Sequence, residues 1–321
     1  MEKNTIMDVM RVKMNNKNVC VIGGAGFLGS HLVDYLIEEE NEVLVLDNLI
    51  AGRKDFVNPK AKFEWCDITH SEMQLINIFR KCKIDFVFNY AAEPYVPSSY
   101  DRPLHTLDIN TRGALMVMNA AKETDVKGVL QITSAEIYGD LDGGIREEDK
   151  VTPHSTYGAT KACTDFLVQV RWREAASKTI ALRQFNCLGE RDILHPYIIP
   201  EVIEQALKSD FVYLGNNTFR DFLYAGDQVR CAVELLEKGK FGEVYNLGSQ
   251  EGIKIYDLAI MIGIFMGKDL IIEEDEKRKR PWDIDHLLSD NSKIYSAIDC
   301  RPQVSFEEAL RRTINSYIEY R

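Results

Sequence analysis

Between residues 18 and 47 the chain passes from an apolar run through a glycine-rich turn into an amphipathic segment, then into a second apolar run that ends on an acid. Asn18-Val19-Cys20-Val21-Ile22 suits a strand buried on both faces, and Phe27 to Ile37 repeats its apolar residues at helical spacing. Gly23, Gly26 and Gly29 lie between them. They let the backbone turn tightly, approach a pyrophosphate and seat helix on strand, with amides at the helix start facing the anion. Glu42-Val43-Leu44-Val45-Leu46 reads as the next strand and delivers Asp47 to its end. A carboxylate there, about 20 residues past the turn, accepts hydrogen bonds from an adenosine ribose and repels a 2′-phosphate. This unit constrains the chain to a parallel sheet carrying a dinucleotide cradle. NAD is the expected cofactor, and Arg53 and Lys54 close behind leave NADP open. Phe27, Leu28 and Asn48 join Gly23, Gly26, Gly29 and Asp47 as cofactor-binding candidates.

Strands and helices keep alternating downstream. Phe63 to Cys66 reads as a third strand closed by Asp67-Ile68, and Ser71 caps a helix from Met73 to Cys82. Asp85 to Tyr90 is a fourth strand leading into Ala91-Ala92-Glu93. A helix over 103–123, a strand over 128–133, a helix over 157–177 and a strand over 179–183 follow. The fold class is therefore α/β, a Rossmann-type doubly wound parallel sheet. At 321 residues the chain exceeds one typical domain. Beyond residue 186 the segments shorten and grow richer in Arg and aromatic residues, which suits a smaller C-terminal α+β lobe closing over a substrate. Phe241 to Gly248 reads as a strand returning to the main sheet. The expected division is a flexible extension over 1–16, a dinucleotide-binding domain from 17–185 and 222–250, and a substrate lobe from 186–221 and 251–321.

Tyr157 and Lys161 supply the other half of a redox site. Positions i and i+4 share a helix face, so the ammonium can favour the phenolate of a tyrosine whose free pKa is about 10, making it a base. Ser134, at a strand end, is placed to hold a substrate hydroxyl. A net charge of −11 with no basic stripe gives no general attraction to nucleic acid or an anionic membrane, and no apolar run reaches membrane-span length. Lys277 to Arg280 follow Glu273 to Glu276 and read as a solvated loop. Seven cysteines without a C-x-x-C pair argue against a disulfide framework or a zinc site and for a reducing, cytoplasmic setting; six histidines show no metal-ligand spacing, so no metal is expected. Cys187, following Arg183-Gln184-Phe185-Asn186 at a strand end, is the thiol of interest.

Taken together, Val21-Ile22-Gly23-Gly24-Ala25-Gly26-Phe27-Leu28-Gly29-Ser30-His31, Asp67-Ile68, Thr133-Ser134-Ala135-Glu136-Ile137-Tyr138-Gly139, Tyr157-Gly158-Ala159-Thr160-Lys161 and Arg220 to Asp227 resemble the nucleotide-sugar epimerases and dehydratases of the extended short-chain dehydrogenase/reductase family. The resemblance runs from about residue 17 to the C-terminus. It implies a nicotinamide cofactor cycling within one turnover and a nucleotide diphospho-sugar substrate. By this resemblance Asp67 and Ile68 hold adenine, Ala91 and Ala92 wall the cofactor, and Ser134, Tyr157 and Lys161 oxidise sugar carbon 4. Asn186, Arg220 and Arg280 bind the diphosphate, where a guanidinium suits two phosphates.

Glu136 and Ala135 then point in different directions. A ketone at carbon 4 acidifies the hydrogen on carbon 5, and Glu136 is a suitable base for it. The simple 4-epimerases of the family usually lack an acid there, whereas 4,6-dehydratases have Glu. Dehydratases of the dTDP-glucose type also have Asp where this chain has Ala135, the acid that protonates the departing hydroxyl of carbon 6. The expectation is a homodimeric 4,6-dehydratase of a UDP-linked sugar, or a related elimination. Epimerisation at carbon 5 of a 6-deoxy or 5,6-ene sugar, decarboxylation of a UDP-linked hexuronic acid, 4-epimerisation and a non-catalytic cofactor sensor are the alternatives.

Overall fold

The computed structural model describes residues 14–280 and 282–321; residues 1–13, most of the expected extension, lie outside the described residues. One sheet dominates. Its strands are β1 (Asn18–Ile22), β2 (Glu42–Asp47), β3 (Lys62–Trp65), β4 (Phe86–Asn89), β5 (Gly128–Ser134), β6 (Thr179–Gln184) and β7 (Val244–Leu247). They pair in parallel in the order 7-6-5-4-1-2-3. Burial on both faces is why the inner strands β1, β2, β4 and β5 are nearly continuous apolar runs, whereas edge strand β3 alternates and is partly exposed. On one face, Leu32, Val33 and Leu36 of helix α1 (Phe27–Glu38) pack with Val229, Ala232 and Leu235. On the other, Leu75, Ile76 and Phe79 of α2 (Glu72–Cys82) pack with Val117, Ala120 and Ala121. Strand order reverses between β1 and β4, so a crevice opens beyond their carboxyl ends.

The helix expected over 103–123 is helical throughout but not uniform: Pro103–Leu107 and Ala114–Glu123 are α-helix, joined by a π-helical segment at Asp108–Gly113. Asn110 in that segment turns inward and donates to the Glu93 carbonyl and the Thr160 hydroxyl, both at 3.2 Å. Thr164 donates to the Asn110 carbonyl at 2.6 Å. The wide turn thereby ties this helix to the loop after β4 and to α3 (Thr156–Ala175).

The smaller lobe is built round Phe219–Tyr224. Gly252–Lys254 pairs with it antiparallel, His286–Ser289 and Asn186–Leu188 pair with it in parallel, and Gly144–Ile145 extends the sheet beyond His286–Ser289. Helices Ile198–Lys208, Ile255–Phe265 and Phe306–Tyr320 share its core.

Several expectations change. Gly144–Ile145, assigned to the first domain, belongs to the small-lobe sheet, and Phe219–Tyr224 crosses the boundary drawn at 221/222. Ile294 and Ile298, assigned to the substrate lobe, pack in the main core. Met14, read as part of the loose extension, is buried; its carbonyl accepts from Asn41 at 3.1 Å and its amide donates to Glu237. Cys231 and Cys300 form a disulfide, against the reading of the cysteines, with Cα atoms 5.3 Å apart. Their 69-residue separation hides the pair in sequence; folding brings the helix Ala225–Lys238 against the loop that follows Ser292–Ala297.

Candidate active site

A cavity of about 780 Å³ lies where the crevice meets the small lobe. The glycine turn forms its floor. Gly26 caps α1 with extended backbone and no side-chain acceptor, so the amides of Phe27 and Leu28 open into the cavity. Space there is tight enough to require glycine. A Cβ on Gly23, whose φ is +78°, would meet the Ala91 amide nitrogen at 2.7 Å, and one on Gly29 would meet the Gly23 carbonyl at 2.1 Å. Asp47 braces the same turn, its two oxygens accepting from the Ala25 amide at 3.0 Å and the Leu49 amide at 2.8 Å. Asn48 donates to Asp67 at 3.1 Å. Burial alone would raise the Asp67 pKa, but hydrogen bonds from Thr69 and Asn48 hold it below its ordinary value.

The cations that left NADP open are engaged elsewhere. Arg53 grips Asp55 through two bonds of 3.0 and 2.6 Å, and the Lys54 ammonium sits 3.2 Å over the Phe63 ring. An anion cradle, a buried carboxylate at the end of β2 and no free cation at Arg53 or Lys54 fit NAD.

The catalytic candidates converge on the opposite wall. Ser134 ends β5 and caps the short turn Ala135–Ile137, accepting from the Glu136 amide at 3.1 Å. Ser155 caps α3 by accepting from Gly158 at 3.0 Å, which sets Tyr157 in its first turn and Lys161 one turn on. Gly158 lets that turn press against Glu136, since a Cβ would lie 2.6 Å from the Glu136 carbonyl. Lys161 donates to the Ile132 carbonyl at 3.2 Å and lies 5.9 Å from the Tyr157 ring centroid. Burial lowers the Lys161 pKa to about 8. Burial also raises that of Tyr157; Ser134 offsets this and the Glu136 charge adds to it. Burial thus keeps the Tyr157 phenol protonated at rest.

Glu136 is half-buried and its pKa is raised by burial, with Arg220 and Arg280 pulling it back and Asp283 adding to the rise. Arg220 donates to Asp283 at 2.9 Å, while Arg280 has no ion pair among the described residues. Asn186 lines the cavity with a buried Oδ1 that has no partner. The basic run proves mixed: Arg278 pairs with Glu201 and Lys279 with Glu274 and Glu276, as a solvated loop would, yet all of Lys277 to Arg280 line the cavity. Cys187 is there too, its thiol pushed well up by burial.

Sequence reasoning missed two groups. Tyr95 stacks on His195 at 6.1 Å and meets Tyr197 edge-on at 6.0 Å, forming a wall from segments with no periodicity to betray them. Arg183 grasps Asp165 of α3 at 3.0 and 2.7 Å and donates to Glu147 and Tyr138, clamping β6, α3 and the turn after Ser134 together. Among the described residues no His, Cys, Asp and Glu cluster could hold a metal ion, and no helix is long and apolar enough to cross a membrane.

Residues 19–248 match the family model described as the NAD dependent epimerase/dehydratase family, and the chain belongs to that family. A UDP-glucose 4-epimerase from Lactobacillus helveticus is 31% identical over 308 residues, covering 89% of this chain and 92% of the relative. The fold matches a Thermotoga maritima UDP-glucose 4-epimerase solved with UDP-glucose, with a TM-score of 0.88 and 29% identity over 94% of this chain and 99% of that one. It also matches a dTDP-glucose 4,6-dehydratase from Streptomyces venezuelae solved with NAD, with a TM-score of 0.86 and 26% identity over 94% of this chain and 97% of that one. The protein is an enzyme of the NAD-dependent nucleotide-sugar epimerase/dehydratase family, and its cofactor is NAD.

Proposed function

We propose that this enzyme oxidises carbon 4 of a UDP-linked sugar and then eliminates water across carbons 5 and 6, as a 4,6-dehydratase. The observation that carries this reading is the Glu136 carboxyl in the same cavity as Ser134, Tyr157 and Lys161. Bound NAD would supply a reversible hydride acceptor beside carbon 4. The amides of Phe27 and Leu28 hold its pyrophosphate, Asp47 its ribose, Asp67 with Ile68 its adenine, and Ala91 and Ala92 wall it in. Asn186, Arg220 and Arg280 hold the sugar diphosphate.

Ser134 positions the carbon 4 hydroxyl and Tyr157 takes its proton. Burial opposes charge on the phenol, so the adjacent Lys161, mostly ammonium at neutral pH with a pKa of about 8, is what makes the phenolate reachable. Once carbon 4 is a ketone, Glu136 removes the proton from carbon 5. A second copy of the chain docks on the exposed apolar residues Leu104, Leu107, Phe166 and Val170, carried by neighbouring helices, to form a homodimer.

A second reading is favoured by Ala135, which is buried beside Ile137, Tyr138 and Ala162 and brings no acid to carbon 6. It is epimerisation at carbon 5 of a 6-deoxy or 5,6-ene sugar, which needs Glu136 but no leaving-group acid. Incubation with UDP- and dTDP-sugars in heavy water, read by mass spectrometry, tests both. Water loss with deuterium at carbon 5 is the expected result, and Glu136→Gln should abolish the exchange while leaving carbon 4 oxidation visible by cofactor absorbance. A 4-epimer free of deuterium at carbon 5 would refute the proposal.

A further inference from the structure

Seven carboxyl groups line the cavity, and six have an occupation. Asp47 and Asp67 are held by amide and hydroxyl donors, Asp283 and Glu201 pair with Arg220 and Arg278, and Glu93 lies 3.6 Å from Arg102 and 3.9 Å from His105. Glu136 is the carbon 5 base. Asp192 is left. It sits between the strand Asn186–Leu188 and the helix Ile198–Lys208, is 4% exposed, and has neither a side-chain hydrogen bond nor an ion pair among the described residues. It is close enough to act electrostatically on Cys187 and on Tyr197, and Tyr197 is in turn within range of Tyr157. Tyr197 is thus a shared neighbour of Asp192 and Tyr157 on the cavity wall.

An unpartnered buried carboxyl keeps its proton. Desolvation pushes Asp192 up to about 8, so at neutral pH it is mainly a neutral acid with an O–H to give. The elimination lacks such a group: Ala135 has none to offer, and burial makes the Cys187 thiol a weaker acid than usual.

We propose that Asp192 is the acid that protonates the departing carbon 6 hydroxyl, a role that rests on the dehydratase reading. Glu136 takes the carbon 5 proton, the electron pair of that bond forms the carbon 5–carbon 6 double bond, and the carbon 6–oxygen bond breaks. The departing oxygen takes the Asp192 proton and leaves as water, with Asp192 left as carboxylate.

The test compares wild type with Asp192→Asn on UDP-glucose and dTDP-glucose and on their 6-deoxy-6-fluoro counterparts. Fluoride departs without a proton. The variant should therefore lose water about 10²- to 10⁴-fold more slowly yet release fluoride and oxidise carbon 4 within a few-fold of wild type. Wild-type water loss should fall as pH rises through about 8, where Asp192 loses its proton, and fluoride release should lack that limb. Wild-type dehydration by Asp192→Asn overturns the role. Equal slowing of water and fluoride loss overturns it as well, marking a structural residue. If wild type removes water from neither sugar while oxidising carbon 4, the dehydratase reading itself fails and the acid role goes with it; if only the variant comparison fails, the dehydratase reading stands.

Discussion

Lys161→Met should make the protein more stable while abolishing turnover. The ammonium is 2% exposed, and burial takes its pKa from 10.5 to about 8. At about 1.4 kcal/mol per unit, the folded state bears roughly 3 kcal/mol for keeping that charge at pH 7. Methionine removes the charge together with one hydrogen bond to the Ile132 carbonyl, which keeps its bond from the Gln131 side-chain amide at 3.0 Å; a loss of about 1 kcal/mol leaves a net gain of about 2 kcal/mol. The sign follows from linkage. A lysine whose folded pKa lies below its unfolded one bears the full penalty below about 8, because both states are then protonated. Between about 8 and 10.5 the unfolded chain binds the extra proton and wild-type stability rises with pH; above that the penalty is gone. Urea unfolding of wild type and variant, freed of cofactor, at pH 7 and pH 10 reads the effect as a difference in midpoint. The variant should lead at pH 7 and lose most of that lead at pH 10. A variant less stable at pH 7, or a lead that does not change with pH, would refute the reasoning.

Tyr157→Phe should cost about two to four orders of magnitude in turnover while leaving nucleotide-sugar affinity nearly unchanged, measured by steady-state rates and calorimetry. Asp47→Ala should narrow the preference for NAD over NADP in a binding titration. The same change should lower stability by about 1–3 kcal/mol, since the Ala25 and Leu49 amides lose their acceptor; undiminished NAD preference would mean that the ribose is recognised elsewhere. Arg183→Met should destabilise by about 3–5 kcal/mol, because it strands Asp165 in the core, and Arg183→Met with Asp165→Leu should recover much of the loss in thermal or urea melts.

The first half of the fold was open to reading because each element there depends on local pattern. The strand before Gly23, the helix after it and Asp47 at the end of β2 are set by burial on two faces and by a turn only glycine can make. Ser134, Tyr157 and Lys161 were equally legible, since a cap and one helical turn fix their relation. What stayed hidden depends on pairings distant in sequence. A two-residue strand at Gly144–Ile145 has no period to detect, and the Cys231–Cys300 bond joins segments that meet only in the finished fold. The π-helical segment carries Asn110 to Glu93 and Thr160, partners distant in sequence that no local propensity announces. The burial of Tyr157 and Lys161 stayed hidden for a related reason: helical spacing reports the distance between them, whereas the dielectric around both is a property of the whole packed interior.

The chain passes between the two sheets again and again, lending Gly144–Ile145 to the small lobe before α3 and recovering β7 for the main sheet after Phe219–Tyr224. Neither lobe is therefore a stretch of polypeptide that can be cut out whole. A fragment ending near residue 185 would lack an edge strand and the helix packed beneath it, and a fragment beginning there would lack part of its own sheet. Folding should accordingly proceed as one cooperative event, with long loops closed late and at low rate. On a ribosome, the nascent dinucleotide fold would have to wait for residues beyond 247 before its sheet is complete, leaving the edge of β6 exposed in the meantime.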